Sequence, residues 1–493
     1  MKKIDKLCFD LGLKEDEFVC YGVDKAKILR KPKVKENSKL ILVTAINPTP
    51  YGEGKTTVSI GLNDAFCLKG VSSMAVLREP SLGPVFGMKG GATGGGCASV
   101  IPSEDIDLHF TGDFHAITSA NNLLCAAVSN HIYQGNSLDI DPKTICVKRC
   151  LDVNDRSLRA DFNITAASEV MAIFCLATDE DDLRRRLSNI LVGYTTDKKP
   201  IYAKDLKVDG AMALLLKDAI HPNIVQSLEE NPVLIHGGPF ANIAHGCNSI
   251  IATKTAMSLS DYVVTEAGFG SDLGAEKFLN IKCRVAEIKP SFIVLVATVR
   301  ALEHSGRENL LAHIEHLKHY HVPFCVAINR FSTDTEEEIQ SLMEYCKSNG
   351  VESFVTSSFV AGGKGSTDLA DHILKNTDSS KFQKLYDDKL SIPEKIERIA
   401  REVYAANEVI YSESAKEKIK EIERLGISNY PVCMAKTPYS ISDDKNKLGY
   451  PKEYSISVRD ITIQTGSEMI VVLLNNIITM PGLPKVPNYE KMQ

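Results

Sequence analysis

Residues 49–56 have the residue types and the spacing of a phosphate-binding loop. Gly54, Lys55 and Thr56 close the segment, and Gly52 lies two residues before Gly54. In such loops consecutive backbone N–H groups point at phosphate oxygens, the lysine reaches the β- and γ-phosphates, and the hydroxyl holds Mg²⁺. We therefore predict a nucleotide site with Thr56 as the Mg²⁺ ligand. The predicted nucleotide-binding residues are Thr49, Pro50, Tyr51, Gly52, Glu53, Gly54, Lys55 and Thr56.

The first position of this loop departs from the strict pattern. That pattern is G-x-x-x-x-G-K-S/T, and Thr49 stands where the first glycine is expected. The alternative interpretation is a glycine-rich turn that binds nothing. The flanking segments favour nucleotide binding, because the apolar run 40–43 predicts a buried strand before the loop and residues 57–65 can form a helix after it.

Other polar residues follow predicted strands in the same way. Arg78, Glu266 and Asn329 each come at or directly after the end of an apolar run, as the nucleotide loop does. Asp113 lies in a loop before a predicted helix, where its carboxylate could orient a nucleophile or a metal-bound water. These residues together predict phosphate chemistry at one edge of a sheet.

Four histidines are spaced closely enough to suggest a metal site. They are His313, His316, His319 and His321. No carboxylate completes a ligand shell around them. We therefore predict that they lie on a surface helix before the strand 324–329.

The segments that must position these residues alternate between strand and helix. Apolar runs at 73–77, 233–235, 262–265, 292–297 and 324–328 each end in a polar or glycine-rich loop. This repetition predicts an α/β fold with a P-loop NTPase-like, mostly parallel sheet domain and two smaller α/β domains. The predicted divisions are 1–145, the first part of the P-loop nucleotide-binding domain; 146–231, a smaller helical or mixed segment; 232–369, the second part of the P-loop domain; and 370–493, a C-terminal α/β domain.

Composition and charge limit the class of protein. The chain has 493 residues and a net charge of −6, so nothing indicates a basic surface for nucleic acid. The N-terminus shows no sustained apolar segment, and no apolar run reaches the ~18 residues of a membrane helix. The 13 cysteines contain no C-x-x-C pair, which is typical of reduced thiols. We expect a cytoplasmic enzyme.

Long stretches of the sequence resemble one known family. They include LVTAINPTP at 42–50, REPSLGPVFG at 78–87, LHFTGDFHAI at 108–117 and HGGPFANIAHG at 236–246, with shorter matches at 265–270, 296–302, 431–437 and 480–484. From about residue 5 to residue 488 the chain resembles formate–tetrahydrofolate ligase (formyltetrahydrofolate synthetase), as a divergent member. That family also carries threonine at the position of Thr49.

The resemblance implies an ATP-dependent reaction with three catalytic residues. Formate attacks the γ-phosphate of ATP and gives formyl phosphate and ADP; the N10 amine of tetrahydrofolate then takes the formyl group, and phosphate leaves. Lys55 would neutralise the phosphates. Arg78 would hold the carboxylate and then the acyl phosphate through its planar fork. Asp113 would accept or steer the proton of the amine.

The resemblance also implies cofactors and partners. ATP with Mg²⁺ is the expected cofactor, and a monovalent cation is possible. The expected substrates are formate and tetrahydrofolate, which could be polyglutamylated. A homo-oligomer is expected, and the family indicates a tetramer. No nucleic acid or membrane is expected as a partner.

The residues implied for folate binding depart from the family pattern. They are Phe269, Phe331, Ser332, Val355 and Phe359, in loops of the segment 232–369. The family usually carries tryptophan at Phe359, proline at Ser332 and leucine at Val355, and this chain contains no tryptophan. Two alternatives therefore stay open: a related ligase that forms an acyl phosphate but uses another amine acceptor, and a non-catalytic nucleotide-binding paralogue.

Overall fold

The structure, a computed structural model, describes residues 1–49, 52–87, 92–475 and 477–492. Pro50 and Tyr51 of the predicted nucleotide loop lie outside the described residues. In chain order the strands of the described residues are β1 (Phe18–Cys20), β2 (Ala26–Ile28), β3 (Lys39–Ala45), β4 (Ser73–Leu77), β5 (Gly94–Gly95), β6 (Ala98–Ile101), β7 (Arg149–Leu151), β8 (Phe162–Ile164), β9 (Leu191–Tyr194), β10 (Pro200–Tyr202), β11 (Asn223–Ser227), β12 (Pro232–Ile235), β13 (Tyr262–Glu266), β14 (Phe292–Ala297), β15 (Phe324–Asn329), β16 (Ser353–Thr356), β17 (Glu408–Tyr411), β18 (Val432–Ala435), β19 (Ser455–Gln464) and β20 (Met469–Leu474).

A 12-stranded sheet forms the centre of the molecule. Its main path has the order β1-β2-β11-β12-β4-β13-β3-β14-β15-β16, and β6 with β5 branches from β11. The strands from β12 to β16 along this path are parallel, whereas β1, β2, β6 and β11 pair in antiparallel fashion. The prediction of an α/β fold with a large, mostly parallel sheet is confirmed.

The central strands are apolar along their whole length because both faces of the sheet are covered. Residues 40–45 of β3 and all residues of β14 are buried. Such continuous runs of valine, isoleucine and leucine are typical of parallel strands between two layers of helices. In register, Val43 of β3 lies beside Glu266 of β13 and Val294 of β14. The carboxyl ends of these three strands therefore lie at the same edge.

Helices connect the parallel strands. In the described residues the α-helices are α1 (Ile4–Asp10), α2 (Lys55–Leu68), α3 (Leu82–Phe86), α4 (Ser103–Asp107), α5 (Asp113–Tyr133), α6 (Glu169–Leu176), α7 (Glu180–Ser188), α8 (Asp209–Leu216), α9 (Ile250–Leu259), α10 (Cys283–Ala286), α11 (Val299–Ser305), α12 (Arg307–Lys318), α13 (Glu336–Ser348), α14 (Ser358–Ala361), α15 (Thr367–Asn376), α16 (Ile392–Glu402) and α17 (Glu413–Leu425). Across the described ranges, none of them is both long and apolar enough to cross a bilayer.

A smaller four-stranded sheet, in the order β17-β19-β20-β18, lies in the C-terminal part of the chain. Helix α16 begins beside it at a capping box, in which Ser391 accepts a hydrogen bond from the Glu394 N–H and the Glu394 carboxylate accepts one from the Ser391 N–H. Strand β11, from the segment 146–231, pairs with β2 and β12 of the large sheet. The domain boundaries at 145, 231 and 369 stay predictions.

A buried ion pair joins the C-terminal part to the large sheet. Lys436 follows β18, and its Nζ lies 2.6 Å from an oxygen of Asp272, which follows β13. The Asn47 side chain, just after β3, donates to the same carboxylate at 3.2 Å and to the Pro438 carbonyl at 3.2 Å. Breaking a fully buried pair leaves one charge without a partner, which is strongly destabilising. The C-terminal segment therefore supports the strand that leads into the nucleotide loop.

Candidate functional site

The predicted nucleotide loop joins β3 to α2, as a phosphate-binding loop does. Gly52 and Gly54 have φ angles of 78° and 73°, a left-handed region that glycine enters without a steric penalty. Helix α2 begins at Lys55, with Gly54 as its N-cap. Because glycine offers no capping side chain, the first N–H groups of α2 remain open to a ligand. Free amides and the positive end of the helix dipole attract anions.

The side chain of Glu53 holds this loop in shape. One carboxylate oxygen accepts hydrogen bonds from the Thr49 backbone N–H at 2.7 Å and from the Thr49 hydroxyl at 2.8 Å. The other accepts from the hydroxyl of Thr298, the residue after β14. Glu53 is fully buried. The threonine that replaces the expected glycine is therefore bonded to Glu53 within the loop itself.

Asn329 closes the other side of the loop. It ends β15, is buried, and its side-chain N–H group donates to the Glu53 backbone carbonyl at 3.1 Å. A Cβ atom on Gly54 would lie 2.3 Å from that amide nitrogen. This close approach leaves no room for a side chain at Gly54. The strand-end asparagine found in the sequence thus contacts the loop directly.

Lys55 lies near the charged side chains of Glu266 and Arg78. Its backbone carbonyl accepts a hydrogen bond from the Ser59 hydroxyl at 2.9 Å, whereas its ammonium group has no hydrogen-bond or ion-pair partner among the described residues. Burial lowers the pKa of its ammonium group, and the nearby Glu266 carboxylate opposes that shift. A half-buried ammonium group without such a partner is well suited to bind an incoming anion.

Thr56, Glu266 and Arg78 meet beside Lys55. The Thr56 hydroxyl donates to a carboxylate oxygen of Glu266 at 2.9 Å, and Glu266 ends β13, the neighbour of β3. A guanidinium nitrogen of Arg78 lies 4.0 Å from the other oxygen of Glu266, and a second nitrogen donates to the Pro239 carbonyl at 3.2 Å. Hydroxyl and carboxylate oxygens are ligands that Mg²⁺ prefers, so this oxygen pair could hold the ion.

Asp113 lies in a buried ion pair at the start of α5. Its Oδ1 atom is 2.9 Å from Nζ of Lys27 on β2, and its Oδ2 accepts from the Asn223 side chain at 2.7 Å. Glu79, directly after Arg78, is buried near this pair; burial and the Asp113 charge raise the pKa of its carboxyl group. Lys27, Asn223 and Glu79 were not predicted from the sequence as site residues. The only signal was a lysine at an otherwise apolar position, between Ala26 and Ile28.

The residues implied for folate binding lie at the same edge of the sheet. Phe269 follows β13 and has a φ angle of 57°, which is unusual for a residue with a side chain. Phe331 and the exposed Ser332 follow β15, and Val355 lies in β16. Phe359 lies in α14 with 56% of its surface exposed, and one of its ring carbons would lie 3.0 Å from a Cβ atom placed on Gly95. The residues come from separate strand ends along one edge.

Arg300 is a further residue that the sequence analysis did not assign to the site. Its guanidinium carbon lies 4.0 Å from the centre of the Phe331 ring, and one of its nitrogens donates to the Gly52 carbonyl of the loop. The sequence offered one signal, since Arg300 follows an apolar strand as Arg78 does. It thus contacts both the nucleotide loop and a predicted folate residue.

The prediction that the four histidines lie on a surface helix is wrong. His319 and His321 follow the end of α12 at Lys318, and the helix carries His313 and His316. Both are buried, because α12 packs its histidine face inward against the segment after β13. The Asn47 N–H donates to His313 at 2.9 Å, and the Ser271 hydroxyl lies 2.7 Å from His313 and 3.0 Å from His316. Burial lowers the pKa of His313 to about 4 and that of His316 to about 3. In the described ranges no group of histidine, cysteine and acidic residues is arranged to hold a metal ion.

Fold and site together define an α/β protein whose charged residues converge on one sheet edge, beside the start of α2. A family model described as formate–tetrahydrofolate ligase matches residues 1–493. The chain belongs to the formate–tetrahydrofolate ligase family. It is therefore a ligase, and membership implies formate and tetrahydrofolate as its substrates.

The close approach of Asn329 to Gly54 allows the role of the loop in nucleotide binding to be tested. We expect Gly54→Ala to weaken MgADP binding by about tenfold or more, because left-handed backbone costs a residue with a Cβ about 1–2 kcal/mol and the new methyl group also displaces Asn329. Calorimetric titration measures the affinity. Gly70→Ala is the matched control, because Gly70 has a φ angle of 75° and no atom within 4 Å of its Cβ position. Equal MgADP affinities for the two variants would contradict this description of the loop.

Proposed function

We propose that this protein ligates formate to tetrahydrofolate at the expense of ATP, through formyl phosphate, and releases 10-formyltetrahydrofolate, ADP and phosphate. The observation that carries the proposal is the contact of Thr56 with Glu266 beside an unpaired Lys55 and a half-buried Arg78. This set has the charges that phosphoryl transfer requires. It lies at the ends of adjacent strands, so the residues need no large movement to act together.

In this proposal the loop 49–56 works as the P-loop of an NTPase-like domain. Its amides and Lys55 bind the phosphates of ATP, with Pro50 and Tyr51 as further predicted contacts. The oxygens of Thr56 and Glu266 lie 2.9 Å apart and are of the right chemical type to hold Mg²⁺. When bound, the ion neutralises charge on the phosphate oxygens. The loop amides, Lys55 and Arg78 position the reacting groups.

Arg78 is proposed to hold formate. Its fork can bind a carboxylate in two-point fashion, and the neighbouring Glu266 and Pro239 contacts fix its direction. A formate oxygen then forms a bond to the γ-phosphorus while the bond from that phosphorus to ADP breaks. The amine of tetrahydrofolate next forms a bond to the formyl carbon, phosphate leaves with the oxygen that came from formate, and the amine loses a proton.

The structure favours a positioning role for Asp113 over direct proton transfer. Both of its carboxylate oxygens already accept hydrogen bonds, from Lys27 and from Asn223. Hydrogen bonds from these two partners hold the carboxylate in one orientation. We propose that Asp113 fixes the start of α5 and, through Lys27, the charge next to Glu79 and Arg78.

The pterin of tetrahydrofolate is proposed to bind against Phe269, Phe331, Ser332, Val355 and Phe359. The exposed ring of Phe359 favours this site, because an exposed aromatic face can stack on a flat ligand. The same departures from the family pattern favour a second candidate function, in which the acyl phosphate passes to a different amine. The homo-oligomer, the monovalent cation, the polyglutamate chain and the cytoplasmic location stay predictions from the sequence.

The proposed role of Lys55 predicts a loss of turnover. Lys55→Ala should lower kcat by about 10²–10³, the usual cost of removing one preorganised contact to a developing charge. ADP release with ATP, formate and tetrahydrofolate present measures it, and omission of each substrate in turn gives the background. Lys69→Ala is the control and should leave kcat unchanged, because Lys69 lies at the C-cap of the same helix and is ion-paired with Asp371. Turnover above about a third of the wild-type value for Lys55→Ala would refute the assignment.

The folate assignment predicts a gain from a larger ring. Phe359→Trp should lower the KM for tetrahydrofolate several-fold, since stacking beyond area burial contributes roughly 0.5–1.5 kcal/mol, and should leave the KM for ATP unchanged. The product is followed by acidifying the mixture and reading the absorbance of the cyclised folate. If neither protein forms a folate product while formate still stimulates ATP cleavage, the second candidate function replaces this one.

A further inference from the structure

The position of Arg300 follows from the order of the strands. Strand β14 lies between β3, which leads into the nucleotide loop, and β15, which leads to Phe331. Arg300 comes three residues after β14 ends, in the first turn of α11. Thr298 caps that helix, because its hydroxyl oxygen accepts from the Ala301 N–H at 3.2 Å. A side chain anchored here can reach both neighbouring strand ends.

Arg300 does reach both. On one side its Nη2 donates to the Gly52 carbonyl, and its Nε lies 3.9 Å from the Glu53 carboxylate. On the other side its guanidinium carbon lies over the Phe331 ring, 4.0 Å from the ring centre. Its side chain is 34% exposed, so this bridge lies at the open edge of the site.

We propose that Arg300 is a positioning residue that couples nucleotide binding to folate binding. This inference rests on the proposed function and adds a link between its two half-sites. A nucleotide bound in the loop restricts the position of the Gly52 carbonyl. Because this carbonyl accepts a hydrogen bond from Arg300, the guanidinium group is held in one orientation and restricts the motion of the Phe331 ring. Tetrahydrofolate then binds to a ring that is already ordered, so its binding costs less conformational entropy. By thermodynamic reciprocity, bound folate strengthens nucleotide binding by the same factor.

The chemistry of arginine suits this link. A guanidinium group is planar, so it can stack on an aromatic ring while its edge donates hydrogen bonds to a carbonyl. The ammonium group of lysine carries the same charge but has no flat face. Arg300→Lys therefore keeps the charge near the loop and removes the stacking contact.

Calorimetry measures this coupling. The Kd for MgADP is determined without and with saturating tetrahydrofolate, and the ratio of the two is the coupling factor. We expect a wild-type factor of about fivefold or more, in the usual range for coupled sites. Arg300→Lys should bring the factor close to one. Arg330→Lys is the matched control: Arg330 forms an ion pair with Glu336 on the surface, so the factor should stay at the wild-type value.

A double-mutant cycle with Phe331→Leu tests whether the coupling passes through the stacked pair. If it does, Phe331→Leu alone also lowers the factor, and the double variant loses no more than either single variant. The proposal is overturned if the wild-type protein binds both ligands without coupling, if the coupling survives Arg300→Lys, or if the two single effects add. A wild-type protein that binds MgADP but not tetrahydrofolate would instead refute the proposed function.

Discussion

The hydrogen bonds of the Glu53 carboxylate are the constraint on which the site depends. Glu53 is fully buried, and a buried carboxylate is tolerated only when its oxygens are well satisfied. Its partners come from the start of the loop, at Thr49, and from the end of β14, at Thr298. This arrangement ties Thr49 and Glu53 of the loop to the segment that follows the neighbouring strand. Lys55 and Thr56 come directly after this anchored part of the loop, so their positions depend on it.

The parallel sheet brings the residues of the candidate site together. Strands β4, β13, β3, β14 and β15 all end at one edge, and each end contributes one part of the site. Residues far apart in the chain, such as Thr56 and Glu266, thereby come within hydrogen-bonding distance. The C-terminal segment supports the same edge through Lys436 and Asp272. A rigid frame of this kind keeps charged groups at fixed separations, which electrostatic catalysis needs.

Much of this arrangement was predictable because it is encoded locally. Continuous apolar runs predicted the parallel strands, and the glycine and lysine spacing predicted the loop and the start of α2. The contacts of Lys27 with Asp113 and of Glu53 with Thr298 were not predictable, because their partners lie far away along the chain. His313 and His316 were misplaced for a related reason. Their spacing predicted one helix face, but only the packing of α12 determines that this face is buried.

We propose that the residues at this edge catalyse the attack of a formate oxygen on the γ-phosphate of ATP. Formate labelled with a heavy stable isotope of oxygen tests it most directly, with tetrahydrofolate and unlabelled ATP in unlabelled water. If formyl phosphate forms, one labelled oxygen leaves with the phosphate when the amine takes the formyl group, and phosphorus NMR detects it as an isotope shift. We predict one labelled oxygen in each phosphate released. Folate product that forms together with unlabelled phosphate would contradict it.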